Sequence, residues 1–189
     1  MAGVKAVQER VSYADLARWP EDGRRYELYN GEVFEIPSPI LLHQFVIGRL
    51  YLALSAYVQA HGGSVFLSPL DIVLTDYDVV QPDLLLFMPE REHLLHMREV
   101  TRHAPDLAIE ILSPGTERND RGRKLLLFEQ HRLREYWLVD PDRPAIEVYR
   151  LVGKRLSLTG TADAAQPVES GLLPELNLRP GDLLPAPSH

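Results

Sequence analysis

Two carboxylates stand where a chain usually places aliphatic side chains. Asp83 lies inside the apolar stretch Val79–Met88, and Glu110 interrupts the run Asp106-Leu-Ala-Ile-Glu-Ile-Leu112. An ionised carboxylate in such surroundings is costly unless it is paired or binds a metal. If the two segments are neighbouring strands, both acids face one cleft. An Asp and a Glu converging with a few waters form the ligand set that magnesium prefers, one or two carboxylates completed by water and phosphate oxygens. A cation is then needed to hold the attacking water and the phosphate. The chain has three lysines, Lys5, Lys124 and Lys154, and Lys124 follows Glu110 on the next helix, one turn after Asp120. Taken alone, Lys124 reads as a surface lysine in an i, i+4 pair worth only a few tenths of a kcal/mol.

Other reactive side chains carry weaker signals. His43 has Val46, Ile47 and Leu50 on its helical face and reads as a packed, hydrogen-bonded histidine. His93, His96 and His103 lack any HExxH or carboxylate framework and read as exposed. Gly153-Lys154 is no phosphate loop, because Val148 occupies the first glycine position and Arg155 the Ser/Thr position. Ser113, without a Gly-x-Ser-x-Gly elbow, is a turn residue.

The elements that must position these groups are legible in part. Ser12-x-x-Asp15 has capping-box spacing before a short helix stopped by Pro20. Arg25–Tyr29, Asn30-Gly31 and Glu32–Ile36 form a β-hairpin on a type I′ turn. Its two-residue loop pairs Tyr29 with Glu32, Leu28 with Val33 and Glu27 with Phe34. Leu41 to about Ala60 is helical and apolar nearly all round, hence buried on most sides, by a sheet and by a second subunit where one is present, and His61-Gly62-Gly63 ends it. Val65–Leu74 and Val79–Met88 read as strands, and Pro89–Ala104 as an irregular excursion or short helix. Asp106–Leu112 has the pattern of a central, doubly covered strand. A helix from about Arg118 to His131 follows, with Leu125, Leu126 and Phe128 inward, and then the core strand Glu135–Val139. Strand, helix, strand in this order predicts a crossover and a parallel pair. Ile146–Leu151 and Arg155–Leu158 read as a further hairpin, and from Thr159 a proline-rich tail is expected to wrap the surface with little regular structure. The fold class is therefore α/β, with a mixed α+β sheet.

Composition bounds the setting. A length of 189 residues predicts one unit over 1–189, with a core of about 10–158 and the tail 159–189. A chain of this size buries about 70% of its unfolded surface and needs no staple. It has no cysteine, which excludes thiol nucleophiles, disulfides and Cys-based zinc sites. No unbroken apolar run approaches the ~20 residues of a membrane span, and residues 1–10 show no export signal, so a cytoplasmic protein without membrane contact is expected. The formal net charge of −7 argues against a uniformly basic nucleic-acid binder. Yet Arg118, Arg121, Arg123, Lys124, Arg132 and Arg134 face only Asp120 and Glu129 between residues 118 and 134, a local basic stripe suited to a phosphate backbone.

The order Pro82-Asp83, then Glu110-Ile-Leu112, then Lys124 resembles the PD-(D/E)xK nuclease superfamily and, more closely, its Uma-type restriction-endonuclease family. The matching segments are Tyr26–Glu32, His43, Gln81–Leu84, Pro105–Pro114, Asp120 with Lys124, and Arg134–Pro141, across roughly residues 10 to 150. The resemblance implies a restriction-endonuclease-like core with flanking helices and an N-terminal β-hairpin. It also implies hydrolysis of DNA phosphodiesters with Mg²⁺ or Mn²⁺. Asp83 and Glu110 carry over as catalytic metal ligands. Leu112 stands where the superfamily has its lysine, and Lys124 is the residue that matches the branch's displaced one. Glu27 and His43 join as additional site residues, and Arg118, Arg121 and Arg123 as DNA contacts. A homodimer would pair two sites for two strands. Two other readings share the fold: a non-catalytic DNA- or protein-binding module, and a self-associating structural module.

Overall fold

The structure, a computed structural model, describes residues 10–186. The export-signal expectation falls largely on residues 1–9, outside the described residues. Helix α1 (Tyr13–Leu16) opens on the expected capping box, with the Asp15 amide donating to Ser12 Oγ and the Ser12 amide to Asp15 Oδ2. Strands β1 (Arg25–Tyr29) and β2 (Glu32–Ile36) form the hairpin in the expected register. Asn30 and Gly31 supply the positive φ angles of the turn, 52° and 80°.

Helix α2 (Leu41–His61) ends at Gly62, whose amide donates to the Val58 carbonyl. Among the described residues it alone is long and apolar enough to cross a membrane. Here its Val46, Ile47, Leu50, Leu54 and Tyr57 sink into the core. Within the chain one flank is covered, while Leu41 is 90% and Leu52 64% exposed, on the side where a second subunit was expected. One flank packs and the other faces out.

Each of the next two expected strands splits in two. Val65–Leu74 becomes β3 (Ser64–Leu67) and β4 (Ile72–Thr75), and Val79–Met88 becomes β5 (Asp78–Val80) and β6 (Leu84–Phe87). The breaks fall at Pro69 and Pro82, which have no amide to donate to a ladder. At each break the chain leaves one sheet for another. A small sheet has the order β2-β1-β5-β4, and the large sheet runs β10-β9-β8-β7-β6-β3. Asp83 therefore sits at the joint between β5 and β6 rather than within a strand.

In the large sheet β7 (Leu107–Ile111) is central, buried at every residue, and parallel to β8 (Glu135–Asp140) as expected; its other neighbour, β6, is antiparallel. Between β7 and β8 run α3 (Glu117–Asn119), a π-helical turn (Asp120–Lys124) and α4 (Leu125–Gln130). Phe128 is buried and Leu125 packs against the core as expected, but Leu126 is exposed and Leu127 takes the inward place instead. Pro89–Leu94 forms one 3₁₀ helix.

Strands β9 (Ala145–Val152) and β10 (Arg155–Asp163) make the last hairpin, which runs five residues beyond the expected end at Leu158. The tail wraps but is no passive cover, because Val168, Leu172, Leu173, Leu178 and Leu183 join the core on the α2 side. Alternation then sorts the large sheet. Leu107, Ile109 and Ile111 belong to the α2-side core, whereas Ala108 packs with Leu127 and Phe128 on the opposite side, the side of the small sheet's Tyr29 and Val80. Glu110 shares the parity of Ala108 and so points toward α4 and the hairpin.

Candidate active site

β1 delivers Glu27 to the seam between the sheets, β7 delivers Glu110, the β5–β6 joint delivers Asp83, and the π turn delivers Asp120 and Lys124. These five residues line one cavity of about 220 Å³ together with His43. The segments Pro37–Pro39 and Ser113–Gly115 also line it and meet at Gly115, where a Cβ would lie 3.1 Å from Pro37 Cγ.

Lys124 is the hub. Its Nζ lies 2.8 Å from Glu110 Oε1, 2.9 Å from Glu27 Oε1 and 3.3 Å from Asp120 Oδ1. At 4% exposure it is no surface lysine, so the bland reading of an exposed i, i+4 pair is overturned. Burial works to lower the pKa of its ammonium, but Glu110, Glu27 and Asp120 outweigh that and raise it well above the ordinary lysine value. Burial raises Glu110 far above the usual carboxylate range, opposed by Lys124 and reinforced by Asp120, Asp83 and Glu27. Asp120 is raised for the same first reason, against the pull of Lys124. Neither Asp120 oxygen receives a hydrogen bond of good geometry.

Glu27 is held firmly. Tyr29 donates to its Oε2 at 2.6 Å, the Gln81 amide donates to its Oε1 at 2.8 Å, and Asn119 Nδ2 donates to the Tyr29 hydroxyl at 2.7 Å. Asp83 Oδ2 accepts from the Ile111 amide at 2.8 Å and faces His43 Nε2 at 3.1 Å. The packed-histidine expectation is met at one nitrogen, while His43 Nδ1 is buried without a partner.

The fit to a divalent metal rests on the donors left over. Glu110 uses Oε1 and Asp83 uses Oδ2, so Glu110 Oε2 and Asp83 Oδ1 have no hydrogen-bond partner among the described residues. Three acids contact one ammonium in a poorly hydrated place and Asp83 lines the same cavity, an excess of carboxyl groups that favours a further cation. No group of three or more His, Asp or Glu closes a metal shell among the described residues. Two carboxylate oxygens with water and phosphate suit magnesium, which keeps part of its hydration, and do not suit structural zinc. The residues present fit the group.

The structure thus brings together Asp83, Glu110, Lys124, Glu27 and His43. It does not bring the arginines to the cavity. Arg121 is engaged by Glu117 at 2.8 Å and by both oxygens of Glu147, and Arg123 by Glu32 at 3.0 Å. Arg118 is exposed, with no carboxylate partner among the described residues. His93, His96 and His103 are exposed as expected. Sequence reasoning missed Tyr29 and Asn119. Tyr29 follows Glu27 by two and so shares its face, a usable signal, whereas the Asn119 contact spans 90 residues and leaves no local trace.

A family model, Uma2, described as "Putative restriction endonuclease", matches residues 13–181, which extends the likeness through the tail that had looked peripheral. Among solved structures, one described as a putative nuclease belonging to DUF820, from Anabaena variabilis, shares the fold with a TM-score of 0.75 at 24% identity, covering 92% of this chain and 97% of that one. No curated protein matches the chain significantly.

Proposed function

The chain belongs to the Uma2 restriction-endonuclease family, and on that premise we propose that it is a divalent-metal-dependent DNA endonuclease. The observation that carries this reading is the buried cluster of Glu27, Glu110 and Asp120 around Lys124, with Asp83 lining the same cavity beside His43. Asp83 and Glu110 would hold Mg²⁺ or Mn²⁺, which supplies charge neutralisation at the phosphate and a bound water of lowered pKa. Lys124 keeps its proton through the neutral range, so its part is that of a hydrogen-bond donor and fixed positive charge rather than a base. Glu27, clamped by Tyr29 and the Gln81 amide, fixes where that charge stands. His43 orients Asp83.

Pairing of two copies belongs to the same proposal. The outward flank of α2 carries Leu41, Phe45 and Leu52, and light scattering reads whether it joins two chains. The test of the activity is incubation of duplex DNA with the full chain and Mg²⁺ or Mn²⁺. Cleavage is expected from the parent and is expected to vanish in Asp83→Asn and Glu110→Gln, with circular dichroism unchanged. Cleavage surviving both substitutions sinks the assignment.

A further inference from the structure

Most cations near the cavity are already neutralised. Lys124 is held by three acids, Arg123 by Glu32, Arg121 by Glu117 and Glu147, and Arg24 by Asp22 and Glu35. Arg25 differs. It lines the same cavity, half-buried, and no carboxylate lies in ion-pair range among the described residues. Its guanidinium is fixed instead by two neutral acceptors, Ser68 Oγ at 3.1 Å and the Pro37 carbonyl at 3.4 Å.

The placement follows from the hairpin. Alternate residues of a strand share a face, so Arg25 lies about 7 Å along β1 from Glu27 and on the same side. Its cross-strand partner Ile36, and Phe34 opposite Glu27, complete that wall of the cavity. Arg24, one residue earlier, faces away and meets Glu35.

We propose that Arg25 is the phosphate-positioning residue of the site, receiving a backbone phosphate of the DNA strand whose neighbouring phosphodiester lies over Asp83 and Glu110. This rests on the nuclease reading. A phosphate entering the cavity meets acids that outnumber the one ammonium, which three of them already hold, so a further cation at the wall favours its entry. A guanidinium suits this role because its planar fork matches two phosphate oxygens. The neutral contacts from Ser68 and Pro37 hold the fork in place without cancelling its charge.

The experiment is binding of the full chain to a labelled DNA duplex by fluorescence anisotropy across a salt series. Ca²⁺ is present, since it takes the same oxygen donors as Mg²⁺. Steady-state cleavage in Mg²⁺ is run in parallel. Arg25→Ala and Arg25→Gln are expected to weaken binding about ten-fold at low salt and to reduce the salt slope by about one. KM is expected to rise while kcat is retained, and Arg25→Lys to recover most of the loss. Arg25→Gln keeps hydrogen-bond donors for Ser68 and Pro37, so a merely structural arginine predicts normal behaviour in that variant. Arg24→Ala is expected to match the parent. A parental salt slope in Arg25→Gln, or an equal loss in Arg24→Ala, overturns the inference while leaving the nuclease reading intact. A parent chain that binds no DNA at low salt overturns both.

Discussion

Lys124 carries two burdens that substitution separates. It is the ammonium that three buried acids share, so its removal strands buried carboxylates. Lys124→Met is expected to destabilise the metal-free chain by about 3–5 kcal/mol, read by urea unfolding. It is also expected to lower kcat on the order of 10²- to 10³-fold, the effect of losing one preorganised donor. Saturating Mg²⁺ should restore part of the stability but not the rate; full recovery of kcat would show that Lys124 serves the fold alone. Asp120 gives the pH signature. Burial raises its pKa in the folded state, so the folded chain binds that proton more tightly than the unfolded one. Its contribution then favours folding below the ordinary carboxylate range and is withdrawn as pH climbs through the raised value. Asp120→Asn is expected to flatten that stretch of the metal-free stability curve and to raise the denaturation midpoint at neutral pH. An unchanged pH dependence would place the proton elsewhere.

Among the elements, the tail is tied down by one buried acid. Glu135, on β8, accepts from Trp137 Nε1 at 2.7 Å, Ser170 Oγ at 2.6 Å and the Gly171 amide at 2.8 Å. Glu135→Ala strands these donors and is expected to cost about 3 kcal/mol and to open the segment after Asp163 to limited proteolysis first. A digestion pattern identical to the parent's would show that the apolar contacts of Leu172, Leu173 and Leu178 hold the tail without it. This docking was not legible in the chain, because an Ala- and Pro-rich stretch has no period to reveal which residues turn inward. The hairpin was legible to the residue, since Asn-Gly fixes both turn and register locally. Glu110 was legible as a polar interruption of an apolar run. Asp83 was legible as an acid near a strand, but not as a joint, because Pro82 was read within a strand instead of as its end. The depth of Lys124 could not be seen, since the i, i+4 relation to Asp120 describes a surface pair equally well and it is Glu110, 14 positions earlier, and Glu27, 97 positions earlier, that draw it inward.

Across the whole molecule, charge placement outweighs the total of −7. The acids gather at the proposed metal site, and Arg25 at the cavity and Arg118 outside it have no carboxylate partner among the described residues, which on the proposed reading frees them for phosphate. DNA affinity should therefore fall steeply with added salt and rise with divalent metal. The seam between the sheets has a further consequence. Glu27 arrives from the small sheet and Glu110 from the large one, and a single ammonium spans them. On its outer face the small sheet buries only Leu28, Val73 and Val79, and its Tyr29, Ile72 and Val80 lean on the large sheet, which has a further extensive core of its own against α2. Sub-global opening is expected to begin at such thinly packed units. As urea is added, cleavage should disappear at concentrations where far-ultraviolet dichroism still reports an intact large sheet. Coincident loss of both signals would show that the two layers melt as one. The catalyst would then be a gauge of alignment between two layers of unequal toughness, failing by misregistration well before the molecule comes apart.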